Sequence, residues 1–438
     1  MTVLAKEVSS FVVGDTLYEE IYKDGKPYFL GSDGVTFSPR LPTFRRDTIE
    51  YKPINDDLLE KGAVRLPSEP TEYGTFSDLL KEIYLHIRAY LDISDLHRKY
   101  ATWYIVLTWV TDHLNTIPYL RARADYGSGK TRYLDVIGGL CYKPLSFGGA
   151  VRSAPIFRSI DKWKGTALFD EFNLEKSDES EEVIQILNNG YQKGKPILRC
   201  AGENNEVTAF DAFGPKIIAT KKQFQDLALE SRCITEILSE TGRDDIPIEL
   251  PPVFFEEQKI LRNKLLMYRF RNWKIVGARP IIIDLGRVQP RIKQSMLPFA
   301  ALFYDDPIEI EKFKLEVKER NDEIVRDNMM SLEGFIVRAY LIQAPLYPFL
   351  TVERIIDCIK GELDYEGRAL TRKGIGSRLK SLGFKSESLY NPADKKMCRS
   401  LSISKGKLLS LMNKYVSEEP IAVEEHLPEE VEEGDDES

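Results

Sequence analysis

Apolar positions change period several times along the chain. Between residues 11 and 38 they fall in short runs separated by turn residues. Asp24-Gly25, inside LYEEIYKDGKPYFL, supplies the positive-φ pair that a tight hairpin wants, and Ser32-Asp33-Gly34 predicts a second turn. Pro39, Pro42, Pro53, Pro67 and Pro70 then punctuate an irregular stretch. From Phe76 the period becomes helical: Phe76, Leu79, Leu80, Ile83, Ile87 and Leu91 share a face, and a second helix is predicted over 95–114. Residues 117–235 alternate short apolar strands with helical patterns, which predicts an α/β core with a parallel sheet. Helical periodicity returns over 255–345 and includes a long charged helix over 306–343, ended by Pro345 and Pro348.

Beyond residue 350 the pattern is a helix (TVERIIDCIKGEL), a basic helix (TRKGIGSRLKSLG) and a basic β-like segment, which predicts a winged-helix module. The organisation expected is therefore a hairpin-containing segment (1–70), a helical collar (71–116), the α/β core (117–250), a helical lid or extension (251–345), the winged helix (350–416) and a disordered tail (417–438).

Charge changes the picture only at that tail. Residues 417–438 hold 11 acidic residues and no Lys or Arg, so they more than account for the net charge of −8 and leave +3 on the rest. With almost nothing apolar to bury, the tail reads as a solvated extension, or as a DNA mimic competing for a basic groove. The five cysteines are scattered with no C-x-x-C pair and no histidine cluster, which argues against a disulfide framework or a zinc site and fits a reducing, cytoplasmic compartment. MTVLAKEVSS shows no secretory pattern, and the most apolar run, TWYIVLTWV, is far short of the roughly 20 residues of a membrane span. A soluble protein with no membrane partner is expected.

ADYGSGKTRYLD (124–135) nearly spells G-x-x-x-x-G-K-[ST], between a strand signal (IPYLRA) and a helix signal. Asp125, Tyr126, Gly127, Ser128, Gly129, Lys130 and Thr131 are the candidate phosphate cradle. The glycines let backbone N–H groups curl around a β-phosphate, Lys130 would neutralise β/γ oxygens, and Thr131 would ligate Mg²⁺. Ala124 stands where the first glycine belongs, and alanine fits there if its φ is negative. Forty residues past Lys130, GTALFDEFN ends an apolar run in Asp170-Glu171, one carboxylate for Mg²⁺ and one to polarise the attacking water. FGPKIIAT presents Thr220 at another strand end, and LESRC carries Arg232, readable as an arginine finger or as a surface ion pair.

Taken in order, YLRARADYGSGKTRYLD, GTALFDEFN, ILNNGYQKGKPILRCAGENNEVTAFDAFGPKIIAT and LESRCI resemble the AAA+ ATPases of phage, plasmid and other mobile-element replication proteins, relatives of superfamily 3 and minichromosome-maintenance helicases. The resemblance covers roughly 75–415. It implies a P-loop core with ATP and Mg²⁺ as ligands. Lys130 and Thr131 would be the Walker A residues, Asp170 and Glu171 the Walker B pair and Thr220 the first sensor. It also implies a homo-oligomer, expected as a hexamer, with Arg232 reaching a neighbour's site. Arg287 and Arg291 both remain open as the second sensor.

Candidate nucleic-acid contacts are softer. PILRCAGENNEVTAFDAF predicts a β-hairpin with Asn204 at its tip, placed like the pore hairpin of related ring helicases. NNGYQKGK offers Tyr191, Lys193 and Lys195 as an aromatic among cations for single-stranded DNA, or equally a glycine-capped helix end. In the basic helix and after it, Arg372, Lys373, Arg378, Lys380 and Lys385 cluster, followed by Lys395, Lys396 and Arg399. Arg152 and Arg158 are subunit-contact candidates or ordinary surface arginines. The leading expectation is an ATP-driven, ring-forming DNA helicase or translocase for replication of a mobile element or virus. The alternative is an ATP-dependent DNA-binding initiator or loader switch that does not unwind, and a third reading is an assembly ATPase without DNA.

Overall fold

A computed structural model describes residues 3–125, 127–148, 152–170, 178–201, 206–278, 283–303, 306–362, 371–391 and 395–416. Two compact units divide the chain: Met1–Ile283 with Lys293–Ile310, and Asp284–Ile292 with Glu311–Ser438.

The first unit opens with two small sheets. One joins β1 (Leu4–Glu7), β5 (Phe44–Arg46) and β6 (Ile49–Lys52), and the other joins β2 (Ser10–Val13), β3 (Thr16–Lys23) and β4 (Lys26–Ser32). The β3–β4 hairpin turns where its sequence predicts, with Asp24 at φ 53° and Gly25 at φ 74°. The short α1 (Asp57–Glu60) follows, then α2 (Phe76–Tyr90), whose Thr75–Asp78 capping box satisfies the first-turn N–H groups. α3 (Asp95–Thr108) stops short of the predicted 114, because Arg269 takes the Trp109 carbonyl at 2.6 Å and pairs with Asp112 at 2.6 Å. Arg269 belongs to α8 (Pro252–Ala278), which also binds Glu19 of β3 through Nε at 2.7 Å. Lys143 reaches the other Glu19 oxygen at 3.0 Å, so buried charges tie the N-terminal sheet, the core and α8 together.

The core is a five-stranded, wholly parallel sheet of β7 (Tyr119–Arg123), β8 (Leu145–Phe147), β9 (Ala167–Phe169), β12 (Lys216–Thr220) and β13 (Cys233–Ile237). Its order is β13-β7-β12-β9-β8. β9 and β12 are buried throughout, as a sheet covered on both faces requires. The crossovers use α4 (Lys130–Tyr133), continued by a π-helical turn over Leu134–Gly138, then α5 (Ser153–Trp163), α6 (Asp178–Asn189) and α7 (Leu227–Glu230). The predicted hairpin is present as β10 (Ile197–Ala201) against β11 (Glu206–Phe210), a separate two-stranded element.

After α8, the segments α9 (Pro290–Met296) and α10 (Pro307–Met329) cover the stretch in which the chain passes between the units. The long helix predicted over 306–343 is broken: α10 ends at Met329 and α11 (Leu332–Gln343) begins afresh. Ser331 causes the break by capping α11, its hydroxyl accepting from the Gly334 N–H at 3.1 Å. The second unit continues with α12 (Val352–Glu362), α13 (Arg372–Ser381), the antiparallel pair β14 (Lys385–Asn391) and β15 (Lys396–Ser402), and α14 (Lys405–Tyr415). These elements share a core that includes Ile336, Ile355, Ile359, Ile375, Leu379 and Leu401. Among the described residues no helix is long and apolar enough to cross a membrane. The acidic tail, 417–438, lies outside the described residues.

Candidate nucleotide site

Inserting β12 between β7 and β9 decides which residues meet. The chain leaves β7 at Ala124, β9 at Asp170 and β12 at Thr220, so three neighbouring parallel strands end on one edge of the sheet. Ala124 donates its N–H to the Thr220 carbonyl at 3.0 Å, which fixes the exit from β7 to the end of β12. Positive φ among the described loop residues is confined to Gly127 (79°) and Gly129 (83°); Ala124 needs none, so its methyl group is tolerated.

Lys130 opens α4 and is nearly buried. Its ammonium turns back onto the loop, donating to the carbonyls of Ala124 at 3.0 Å and Asp125 at 2.6 Å. The Thr131 hydroxyl donates to Asp170 Oδ2 at 2.9 Å. Asp170 Oδ1 and the Thr220 hydroxyl are buried without a hydrogen-bond partner among the described residues. Buried polar oxygens left unmatched are costly, so this edge is suited to a polar occupant. A hydroxyl and a carboxylate in contact, with one carboxylate oxygen to spare, are hard oxygen donors of the kind Mg²⁺ takes alongside phosphate and water.

The support behind the loop is also specific. Gln258 of α8 donates to the carbonyls of Asp135 at 2.8 Å and Val136 at 3.2 Å, and Arg262 donates to Gly139 at 2.9 Å. These bonds tie α8 to the backbone of the π-helical turn and the residue that follows it. Burial raises the Asp135 carboxyl above its usual range, opposed by Arg65 at 3.6 Å and reinforced by the nearby charge of Asp170. Arg132 spans from α4 to the carbonyl of Pro247 at 2.6 Å.

Arg232 occupies the other end of the sheet. Tyr119, the first residue of β7, donates its N–H to the Arg232 carbonyl at 3.0 Å, whereas the loop follows Arg123 at the last. Four strand steps of about 3.3 Å, roughly 13 Å in all, separate the two ends. Arg232 is held by Asn188, whose carbonyl accepts from it at 3.1 Å, and its guanidinium lies 5.1 Å from the Tyr191 ring centroid. Tyr126 and Glu171 lie outside the described residues.

The nucleic-acid candidates disperse. Tyr191 is 3% exposed, packed against Tyr119 and Arg232, so its ring is not offered to a base as placed. Lys193 is exposed and donates to the Asp112 carbonyl at 2.7 Å, and Lys195 is exposed beside Gly194, whose φ is 82°. Asn204 lies outside the described residues, while the described hairpin arms present Leu198 and Val207 to solvent. Arg158 stacks over Phe210 of that hairpin, 5.9 Å from the ring centroid, and Arg152 is exposed. In the second unit, Arg372 pairs with Glu353 at 2.7 Å and Arg378 with Glu333 at 3.1 Å, while Lys373 and Lys380 are exposed. Arg287 and Arg291 also belong to the second unit. Sequence reasoning missed Arg121, Glu230 and Asn188, although an arginine inside the apolar strand YLRAR was a usable signal, because such a residue needs a partner.

No protein-family model and no curated protein sequence matches the chain. The similar solved structures are all distant. SCCmec type IV Cch, described as an active helicase, is 10% identical with a TM-score of 0.41, over 93% of this chain and 80% of that one. The NrS-1 C-terminal region is 9% identical at 0.37, over 88% and 97%. A full-length MCM homolog from Methanopyrus kandleri is 11% identical at 0.30, over 69% and 75%.

Proposed function

We propose that this chain is an ATP-hydrolysing DNA helicase or translocase that works as a ring, expected to be a hexamer, in the replication of a mobile element or virus. The observation that carries the reading is the convergence of Lys130, Thr131, Asp170 and Thr220 at one sheet edge, with buried oxygens of the last two unmatched among the described residues. Lys130 would exchange its loop carbonyls for the β- and γ-phosphate oxygens. Thr131 and Asp170 would hold Mg²⁺, which supplies charge neutralisation on the phosphates. Thr220 would orient the attacking water, and Glu171 would accept its proton. Because Arg232 stands at the far end of the sheet from its own loop, it would act on a neighbour's nucleotide, which makes assembly part of the site.

The second unit would supply the DNA-binding winged helix, with α13 and the β14–β15 wing carrying the cations. One observation favours the second reading, a switch that does not unwind: the described arms of the β10–β11 hairpin expose Leu198 and Val207, and their one cation, Arg199, is paired with Glu182 at 3.6 Å. A strand-displacement assay on a forked DNA duplex with ATP and Mg²⁺ separates the two. The proposal requires ATP-dependent unwinding that Lys130→Ala abolishes; duplex binding without unwinding would leave the switch.

A further inference from the structure

Arg121 is a charged side chain in the middle of β7, the strand that delivers the chain into the phosphate loop, and it is fully buried. A guanidinium is tolerated there only when its donors are matched. Both terminal nitrogens meet the Glu230 carboxylate, one of them at 2.5 Å, and Nε donates to the Thr235 hydroxyl at 3.1 Å. The guanidinium also lies 4.8 Å from the centroid of the Phe224 ring. Glu230 Oε2 accepts the Phe224 N–H at 3.0 Å as well. One carboxylate therefore ties together β7, the loop that follows Thr220, and the end of α7, two residues before Arg232.

The other side of that turn is tied separately. Asp226 caps α7 by accepting from Ala228 and Leu229 N–H at 2.8 and 2.9 Å, and its second oxygen accepts from Asn188 Nδ2 at 3.0 Å. Asn188 in turn accepts from Arg232. Packing alone did not need the ion pair, since well-packed apolar residues often replace such pairs without loss of stability. What a two-pronged arginine–carboxylate pair adds is orientation.

We infer that Glu230, through its pair with the buried Arg121, is a positioning residue for Arg232, fixing the turn from which that arginine is presented to the neighbouring subunit. The inference rests on the reading of Arg232 as an arginine acting in trans.

The test uses full-length chains carrying Glu230→Gln or, so that no buried charge is stranded, the paired replacement R121M/E230M. Binding of a fluorescent ATP analogue with Mg²⁺ should keep its wild-type Kd. Turnover should fall about tenfold or more, a part of the roughly 10³–10⁵-fold that a trans arginine supplies. Mixed assemblies then assign the defect. Mixing either variant with Lys130→Ala, which lacks a working site but keeps its Arg232 turn, should restore turnover. Mixing either with Arg232→Ala should not. The opposite pattern, or a weakened Kd, would place the effect in the chain's own site and overturn the inference. Should Lys130→Ala and Arg232→Ala complement each other while both Glu230 variants keep full turnover, the trans reading stands and the inference falls. Should Arg232→Ala alone keep full turnover, the trans reading falls and takes the inference with it.

Discussion

The Thr131 hydroxyl donates to the Asp170 carboxylate across 2.9 Å, although 39 residues separate them in the chain. That contact joins the first turn of α4 to the end of β9, and it exists because β12 holds β7 and β9 one strand apart. If the pair holds Mg²⁺, Thr131→Val should lower ATP turnover on the order of 100-fold, the loss that follows removal of one preorganised charge-stabilising group. Thr131→Ser, which keeps the hydroxyl, should retain most of it. Turnover measured over a Mg²⁺ titration checks both, and equal loss in the two variants would indicate a packing effect instead.

Burial drives the Glu20 carboxyl up to about 8, with Lys143 only partly opposing the rise. The proton is thus bound more tightly in the folded chain than in the unfolded one, where 4.5 is usual. Its stabilising contribution is complete below that unfolded value and is lost as pH rises through the folded one. At about 1.36 kcal/mol per unit, the loss is on the order of a few kcal/mol. Glu20→Gln, which carries no proton to lose, should raise Tm at pH 8.5 and change it little at pH 5. Thermal melts at the two pH values read this directly.

Arg269 is fully buried between Glu19 and Asp112. Arg269→Met takes a cation from both carboxylates, although Glu19 keeps Lys143 at 3.0 Å, and should destabilise the first unit by about 3 kcal/mol, the low end for a broken buried pair, measured by chemical denaturation. A loss under about 1 kcal/mol would mean that the carboxylates take up protons or reach water at no cost.

In α13, Lys373 and Lys380 are exposed while Arg372 and Arg378 have acidic partners. The Lys373→Ala, Lys380→Ala double variant should weaken duplex DNA binding and make the slope of log K against log salt shallower by about two. Arg378→Ala alone should do less, because Glu333 already offsets its charge.

Much of the site was legible in the sequence for local reasons. A glycine-rich loop between strand and helix signals, an Asp after a short apolar run and a Thr after another depend on neighbours a few residues away, and so did the Asp24-Gly25 turn. What escaped depended on distant partners. Nothing near Trp109 announces that Arg269, 160 residues on, would end α3, and Ser331 reads as a mid-helix polar residue until its cap is seen. Tyr191 sits among lysines in sequence, but Tyr119 and Arg232 claim its ring. Arg121 was visible as an arginine in an apolar strand, whereas its partner Glu230 lies 109 residues away.

The central claim is a working nucleotide site coupled to DNA, and steady-state ATP turnover with and without single-stranded DNA tests it most directly, for the unaltered chain beside Lys130→Ala and Asp170→Asn. Mg²⁺-dependent turnover that rises with DNA and disappears in both variants is the expected result. Turnover indifferent to DNA, or undiminished when Lys130 is removed, would contradict it.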